Sequence, residues 1–335
     1  MVEHPAAAAP PKRTLGRGDA LALGTDAWRV RELLGSGAFA HVYAVSLESV
    51  SAAAKVSSPA NVWEWYIHTQ LEARLAPEQR SRFAGAIEAH AFGDLAAADG
   101  LTRSCSVLLQ ERVCGPVLQQ LVNARRAVGQ ALAEPLALFY TLDLLEAVDA
   151  LHAADLLHGD LKPDNVMVRC PDPSAIDAAA PLLAPGAGWA AHGVCLIDFG
   201  RSIDLKLYPP GTAFASELVA ESFECVEMRE NRPWTHGADL FAVAACAHFM
   251  LHGDYIQLTH REGTWSPRLP LKRYWQTDLW RRIFETLLGA GRARPDVAGV
   301  ARAIRGHFDA FPAARRGLRD ALQAQHTSLR ESHVL

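Results

Sequence analysis

The chain changes character near Arg112, and that change limits the folds open to it. Before that point, short apolar runs dominate. Residues 28–34 and 41–47 carry strand-like apolar residues around a glycine turn, 52–56 reads as a third strand, and 107–110 is a short apolar strand. One helix is predicted among them over 61–75, where Trp63, Ile67, Leu71 and Leu75 recur every four residues. Beyond Arg112 the pattern is helical. Residues 134–153 place Leu138, Leu142, Leu145, Val148 and Leu151 on one face, with Asp and Glu interleaved. Residues 239–251 are nearly all apolar, as in a helix buried on every side, and 279–288 and 297–308 are amphipathic. The expected class is α+β and bilobal, with a small sheet-rich lobe over about 21–111 and a larger helical lobe over about 112–330.

Two stretches fall outside this pattern. Residues 1–20, rich in Ala and Pro with Lys12, Arg13 and Arg17, read as a flexible lead. Residues 170–193, also rich in Ala and Pro and without periodicity, read as an inserted surface loop.

Composition narrows the function. With 33 basic and 37 acidic residues the formal charge is −4, so no basic surplus favours nucleic acid. The most apolar stretch, 136–157, carries Asp143, Glu146, Asp149 and Asp155, which argues against a membrane span. None of the six cysteines forms a C-x-x-C pair, so a zinc site is not expected and the thiols read as reduced.

Four motifs carry chemistry. The first is Gly35-Ser36-Gly37-Ala38-Phe39-Ala40-His41-Val42, between two predicted strands. Glycines let a backbone approach phosphate oxygens closely. Strand-like residues follow where a dinucleotide fold would start a helix. The second is Ala53-Ala54-Lys55-Val56, where a lysine in an apolar strand needs a partner, and Glu64 on the next helix is the candidate. The third is His158-Gly159-Asp160-Leu161-Lys162-Pro163-Asp164-Asn165, and the fourth Leu196-Ile197-Asp198-Phe199-Gly200.

In this order the motifs resemble those of protein kinases, with Ala40 in place of the third glycine and Gly159 in place of the catalytic-loop arginine. The resemblance implies ATP and magnesium as cofactors. Gly35, Ser36, Gly37, Ala38, Phe39, Val42 and Ala53 would line the nucleotide, and Lys55, held by Glu64, would bind its phosphates. Glu111 and Val113 would meet adenine through backbone groups, with Gln110 behind. Asp160 would accept the hydroxyl proton, Lys162 would neutralise charge on the moving phosphoryl group, and Asn165 and Asp198 would hold magnesium. Glu227 stands where kinases carry the acid of A-P-E, with Arg294 as its expected partner. Asp239 is placed to accept hydrogen bonds from the catalytic-loop backbone.

The wording around the motifs is similar to the Bub family of mitotic-checkpoint kinases. The similar words are Leu33 to Tyr43, Pro59 to Ile67, the glycine of His158-Gly159-Asp160, Ile197 to Leu205, and Phe223 to Met228. The similarity covers roughly 20–325. It implies a serine/threonine kinase of nucleus and kinetochore, acting on a protein substrate such as a histone-tail threonine, with checkpoint proteins as partners. The family also holds a degenerate branch, so a pseudokinase scaffold is the alternative. The family's long N-terminal region is not in these residues, so recruitment through it is not carried over. Without an arginine at 159, the activation segment is expected to be ordered by packing of Tyr208, Phe214, Phe223 and Met228. Phosphorylation at Thr212, Ser216 or Ser222 is not expected to be what orders it. Acceptor contacts are expected from 217–227.

Overall fold

The computed structural model describes residues 1–4, 14–93, 104–215, 224–289 and 295–332. Contacts divide the chain into Met1–Val113 and Cys114–Leu335.

Among the described residues, the first unit is a sheet with two helices. Its strands are β1 (Val2–His4), β2 (Ala20–Leu23), β3 (Asp26–Ser36), β4 (Ala40–Leu47) and β5 (Val50–Ser57), then β6 (Ala86–Phe92) and β7 (Cys105–Glu111). The helices α1 (Val62–Arg74) and α2 (Pro77–Arg80) lie between β5 and β6. Among the described residues the sheet order is β1-β6-β7-β5-β4-β3-β2, all antiparallel except β1 beside β6. Alternation builds the core: β2 buries Leu21 and Leu23 and exposes their neighbours, and these pack with Trp28, Val30, Tyr43, Val45 and Leu109.

The lead over 1–20 is not separate from the fold where it is described. Val2–His4 pairs with His90 to Phe92, and Leu15 is 6% exposed within the core cluster, its N–H donating to Tyr43 Oη at 3.1 Å. One apolar residue among small ones carries no periodicity, which is why the sequence hid it.

The second unit is helical: α3 (Leu118–Ala127), α4 (Glu134–Ala153), α5 (Val226–Arg229), α6 (Gly237–His252), α7 (Thr277–Leu288), α8 (Val297–Ala310) and α9 (Pro312–Glu331). Helix α4 packs against α6, α8 and α9, and α6 is buried along nearly its whole length. Short strands frame the loops: β8 (Leu156–Leu157), β9 (Val166–Arg169), β10 (Gly193–Leu196) and β11 (Ile203–Asp204), with a separate hairpin of β12 (Leu258–Arg261) and β13 (Thr264–Pro267). Strand β9 pairs with β10, and β8 with β11.

The insertion over 170–193 connects β9 to β10 and is not a loose surface loop. Trp189 is 2% exposed and Ile176, Ala178, Leu182 and Ala187 are buried. Arg315, buried on α9, donates to Ala178 O at 3.1 Å and Ala179 O at 2.9 Å, and also to Phe308 O and Asp309 O. The Ala178 and Ala179 carbonyls are thus satisfied by a distant guanidinium, while other carbonyls of the segment accept local bonds.

Candidate active site

The first unit supplies a buried ion pair and a glycine turn. Lys55 lies in β5 between Val42 of β4 and Leu108 of β7. Its Nζ is 3.0 Å from Glu64 Oε1 and 2.8 Å from Oε2, with Lys55 12% and Glu64 2% exposed at the side chain. Glu64 sits in the first turn of α1. The N-cap Asn61 accepts from the Glu64 N–H at 3.3 Å, and the Asn61 N–H donates to Ser106 Oγ at 2.9 Å. A cap tied to β7 therefore fixes where the carboxylate stands.

One turn further, His68 meets Gln110. The Gln110 amide nitrogen can only donate, so at 2.9 Å from Nε2 it requires a neutral imidazole with its proton on Nδ1. Burial, and then the Lys55 charge, hold the His68 pKa down to about 4. Gln110, expected behind adenine, thus joins β7 to α1. The Glu111 N–H donates to Gly85 O at 2.8 Å. Val113 is the last residue of this unit.

The glycine turn joins β3 to β4, with Gly35 opposite Val42 and Ser36 opposite His41. Gly37 N donates to Ala40 O at 2.8 Å, Ser58 N donates to Phe39 O, and the Phe39 side chain is exposed. Neither glycine has a positive φ. A Cβ on Gly35 would meet nothing within 4 Å, and one on Gly37 only Ala40 O at 3.7 Å. The protein's own packing does not require glycine here; an open backbone face does suit a phosphate. Ala38 lies at the tip of the turn, and Ala53 of β5 pairs with Ala44 and Gln110.

The second unit gathers Asp160, Lys162, Asn165 and Asp198. Lys162 Nζ lies 3.1 and 2.9 Å from the Asp160 oxygens. Asn165 Nδ2 donates to Asp160 O at 2.7 Å and to Asp160 Oδ2 at 3.2 Å, which orients its amide and leaves Oδ1 as the atom that could bind a metal. Asp198 follows β10 with φ +63, a costly conformation for a non-glycine residue and one that clusters at functional sites. Gly200 N donates to Asp198 Oδ1 at 3.3 Å.

The loop hangs from one buried carboxylate. Asp239, in the first turn of α6, accepts from His158 N at 2.9 Å, Gly159 N at 3.0 Å and His152 Nε2 at 3.0 Å. Burial pushes its pKa up, but the hydrogen bonds from His152 and the loop outweigh this and hold it below the usual carboxylate range. His158 Nε2 donates to Ile197 O at 3.2 Å and its Nδ1 accepts from Asp160 N at 3.3 Å. The ring is therefore neutral, as its burial favours, and Phe199 packs on it at 5.0 Å between centroids.

Gly159 has φ +73, and a Cβ there would come within 2.6 Å of Arg201 O. An arginine at 159 is incompatible with this backbone. In the activation segment, Phe214 exchanges main-chain bonds with Trp234 at 2.9 Å, and its ring meets Tyr208 edge-on at 5.2 Å and Trp234 at a tilt at 5.4 Å. Thr212 Oγ1 donates to Pro209 O within a turn, and Met228 lies in α5. Trp234 was not anticipated; its distance along the chain from Phe214 gave no signal. Ser216, Phe223 and most of the expected acceptor surface lie outside the described residues, as do Ser222 and Arg294. Glu227 itself is buried, close enough to Gly237 that a Cβ there would strike its carboxylate.

The donor set suits magnesium. Among the described residues no group of three or more His, Cys, Asp or Glu could hold a metal alone. Magnesium needs only one or two protein oxygens, completed by phosphate and water, which Asp198 and Asn165 Oδ1 can offer.

Residues 28–266 match the protein kinase domain model. The chain belongs to the protein kinase family. It is similar to the Bub1-type checkpoint kinases. It is 36% identical over 275 residues to the spindle assembly checkpoint serine/threonine-protein kinase BUB1 of Saccharomyces cerevisiae, covering 80% of this chain and 26% of that protein. It is 29% identical over 324 residues to the mitotic checkpoint serine/threonine-protein kinase BUB1 of Arabidopsis thaliana, covering 93% and 59%. The solved BubR1 kinase domain superposes with a TM-score of 0.80 at 25% identity, covering 97% of this chain and 92% of that one. The chain thus spans less than two thirds of these curated relatives' length.

Proposed function

We propose that this chain is an active, ATP- and magnesium-dependent protein serine/threonine kinase. The observation that carries the reading is the Asp160 arrangement: a carboxylate held by Lys162 and Asn165 on a loop suspended from the buried Asp239. Such rigidity serves a base that must meet a hydroxyl in one orientation.

Lys55, aligned by Glu64, binds the α- and β-phosphates, and the backbone of 35–39 covers the nucleotide, with Val42 and Ala53 on the sheet beneath and Glu111 and Val113 at adenine. Asp160 accepts the acceptor hydroxyl's proton as that oxygen bonds to the γ-phosphorus and the bond to ADP breaks. Lys162 offsets charge on the transferred group. Asn165 and Asp198 would hold magnesium, which would neutralise phosphate charge. By similarity to the Bub1 kinases, the substrate is a protein such as a histone tail modified on threonine. The setting is the nucleus and kinetochore, with checkpoint proteins as partners.

The test is transfer from labelled ATP with magnesium to a histone-tail peptide, to nucleosomes and to unrelated proteins, followed by phosphoamino-acid analysis. Threonine labelling of the histone substrates supports the full reading. Labelling of other proteins alone keeps the kinase and removes the histone assignment.

A further inference from the structure

The residue after the D-F-G motif is arginine, and the catalytic loop is built to accept it. Arg201 Nη1 lies 4.0 Å from Asp160 Oδ1, so this carboxylate faces a cation there as well as at Lys162. The Arg201 main chain is fixed. Its carbonyl oxygen lies within 2.6 Å of where a Cβ on Gly159 would sit, the next residue's Ser202 Oγ donates to His158 O at 3.1 Å, and Ser202 N donates to Phe199 O at 3.1 Å. Beyond Ser202, β11 pairs with β8. The side chain, by contrast, is 69% exposed and can reorient about that anchor.

An ion pair this exposed contributes little to stability. What the anchor secures is a guanidinium beside the catalytic carboxylate, and a planar fork of donors matches phosphoryl oxygens better than it matches one carboxylate oxygen. Gly159 and Arg201 form one feature. The loop gives up a side chain at 159, the carbonyl of 201 moves into that space, and an arginine is presented from the activation-segment side.

We propose that Arg201 is a catalytic residue of this kinase that donates to the transferred phosphoryl group, a cis-acting arginine at the reaction centre. It rests on the kinase reading above. As the acceptor oxygen bonds to phosphorus, its proton passes to Asp160 and the bond to ADP breaks; Arg201 leaves Asp160 Oδ1 for the phosphoryl oxygens, whose charge it shares with Lys162.

The test compares wild type, Arg201→Lys and Arg201→Ala for kcat, for KM of ATP, for chemical unfolding, and for rescue of Arg201→Ala by millimolar guanidinium. The expected result is a loss of about 10³-fold in kcat for Arg201→Ala, the low end for a transition-state arginine. KM for ATP and the unfolding midpoint should be little changed, Arg201→Lys intermediate, and guanidinium should restore part of the rate. A rate within about threefold of wild type overturns the proposal. So does a loss that guanidinium does not rescue, or one that accompanies a lowered unfolding midpoint. A wild type that transfers no phosphate defeats the kinase reading and this inference together; an active wild type with an equally active Arg201→Ala defeats the inference alone.

Discussion

The two units hold their candidate functional side chains in different ways. In Met1–Val113 the key cation meets its partner through side chains: Lys55 on a strand reaches Glu64 on a helix, and the helix is set by the Asn61 cap. In Cys114–Leu335 the key carboxylate sits on a loop whose main chain is itself held, by Asp239 at His158 and Gly159 and by Asn165 at Asp160 O. A strand and a helix need only one side-chain contact to fix a geometry. A loop without regular structure has no ladder of its own, so its amides must find fixed acceptors. The difference teaches that the same precision requires different residues in different backbones.

The comparison can be broken most forcefully at Asp239. Replacing it with alanine leaves the His158 and Gly159 amides and His152 without their acceptor, and a loss of about 5 kcal/mol is expected by urea unfolding. A loss below about 1 kcal/mol would mean the loop stands without this anchor.

Glu64→Ala should cost about 3 kcal/mol by removing the carboxylate that faces a largely buried Lys55, and adding Lys55→Met should recover part of it. Additive losses in that double-mutant cycle would show that the pair is not coupled.

Acid sharpens the contrast. His68 has a folded pKa depressed to about 4, so its contribution is fully present above the unfolded value of 6.5 and is lost as pH falls through about 4. Between these values the unfolded chain binds more protons, and the loss from this group approaches roughly 3 kcal/mol. His68→Gln should flatten the unfolding profile in that window, and an unchanged slope would contradict the assignment.

Gly159→Ala is expected to cost about 1–2 kcal/mol, from the positive φ and the approach to Arg201 O. Crystallography of the variant should show 201 displaced.

Legibility in the sequence followed the same division. Lys55, Glu64, Asp160, Lys162, Asn165 and Asp198 stand out as candidates because each is a specific residue type at fixed spacing, and the structure brings Lys55 to Glu64 and Asp160 to Lys162 and Asn165. The long helices α4 and α6 were readable from continuous apolar runs. Helix α9 was not, because its buried stripe of Arg315, Leu318, Leu322, Gln325 and Leu329 includes an arginine and a glutamine that look solvent-facing. Strand β6 was missed because Ala86, Glu88, Ala89, His90 and Ala91 have little strand character of their own and gain it from β7. The 170–193 segment has no period, and its order comes from Trp189 and the remote Arg315. The positive φ of Gly159 and the seat of Arg201 depend on main-chain contacts that composition cannot encode.

The most direct test of the account measures magnesium-ATP binding and phosphate transfer in the same preparations of wild type and Asp160→Asn. The prediction is that both bind nucleotide with affinities within about twofold, while transfer by the variant falls about 10³-fold, the contribution of a positioned base. Tight nucleotide binding by both with no transfer by either would contradict it, and would make the Asp160 arrangement part of a binding scaffold.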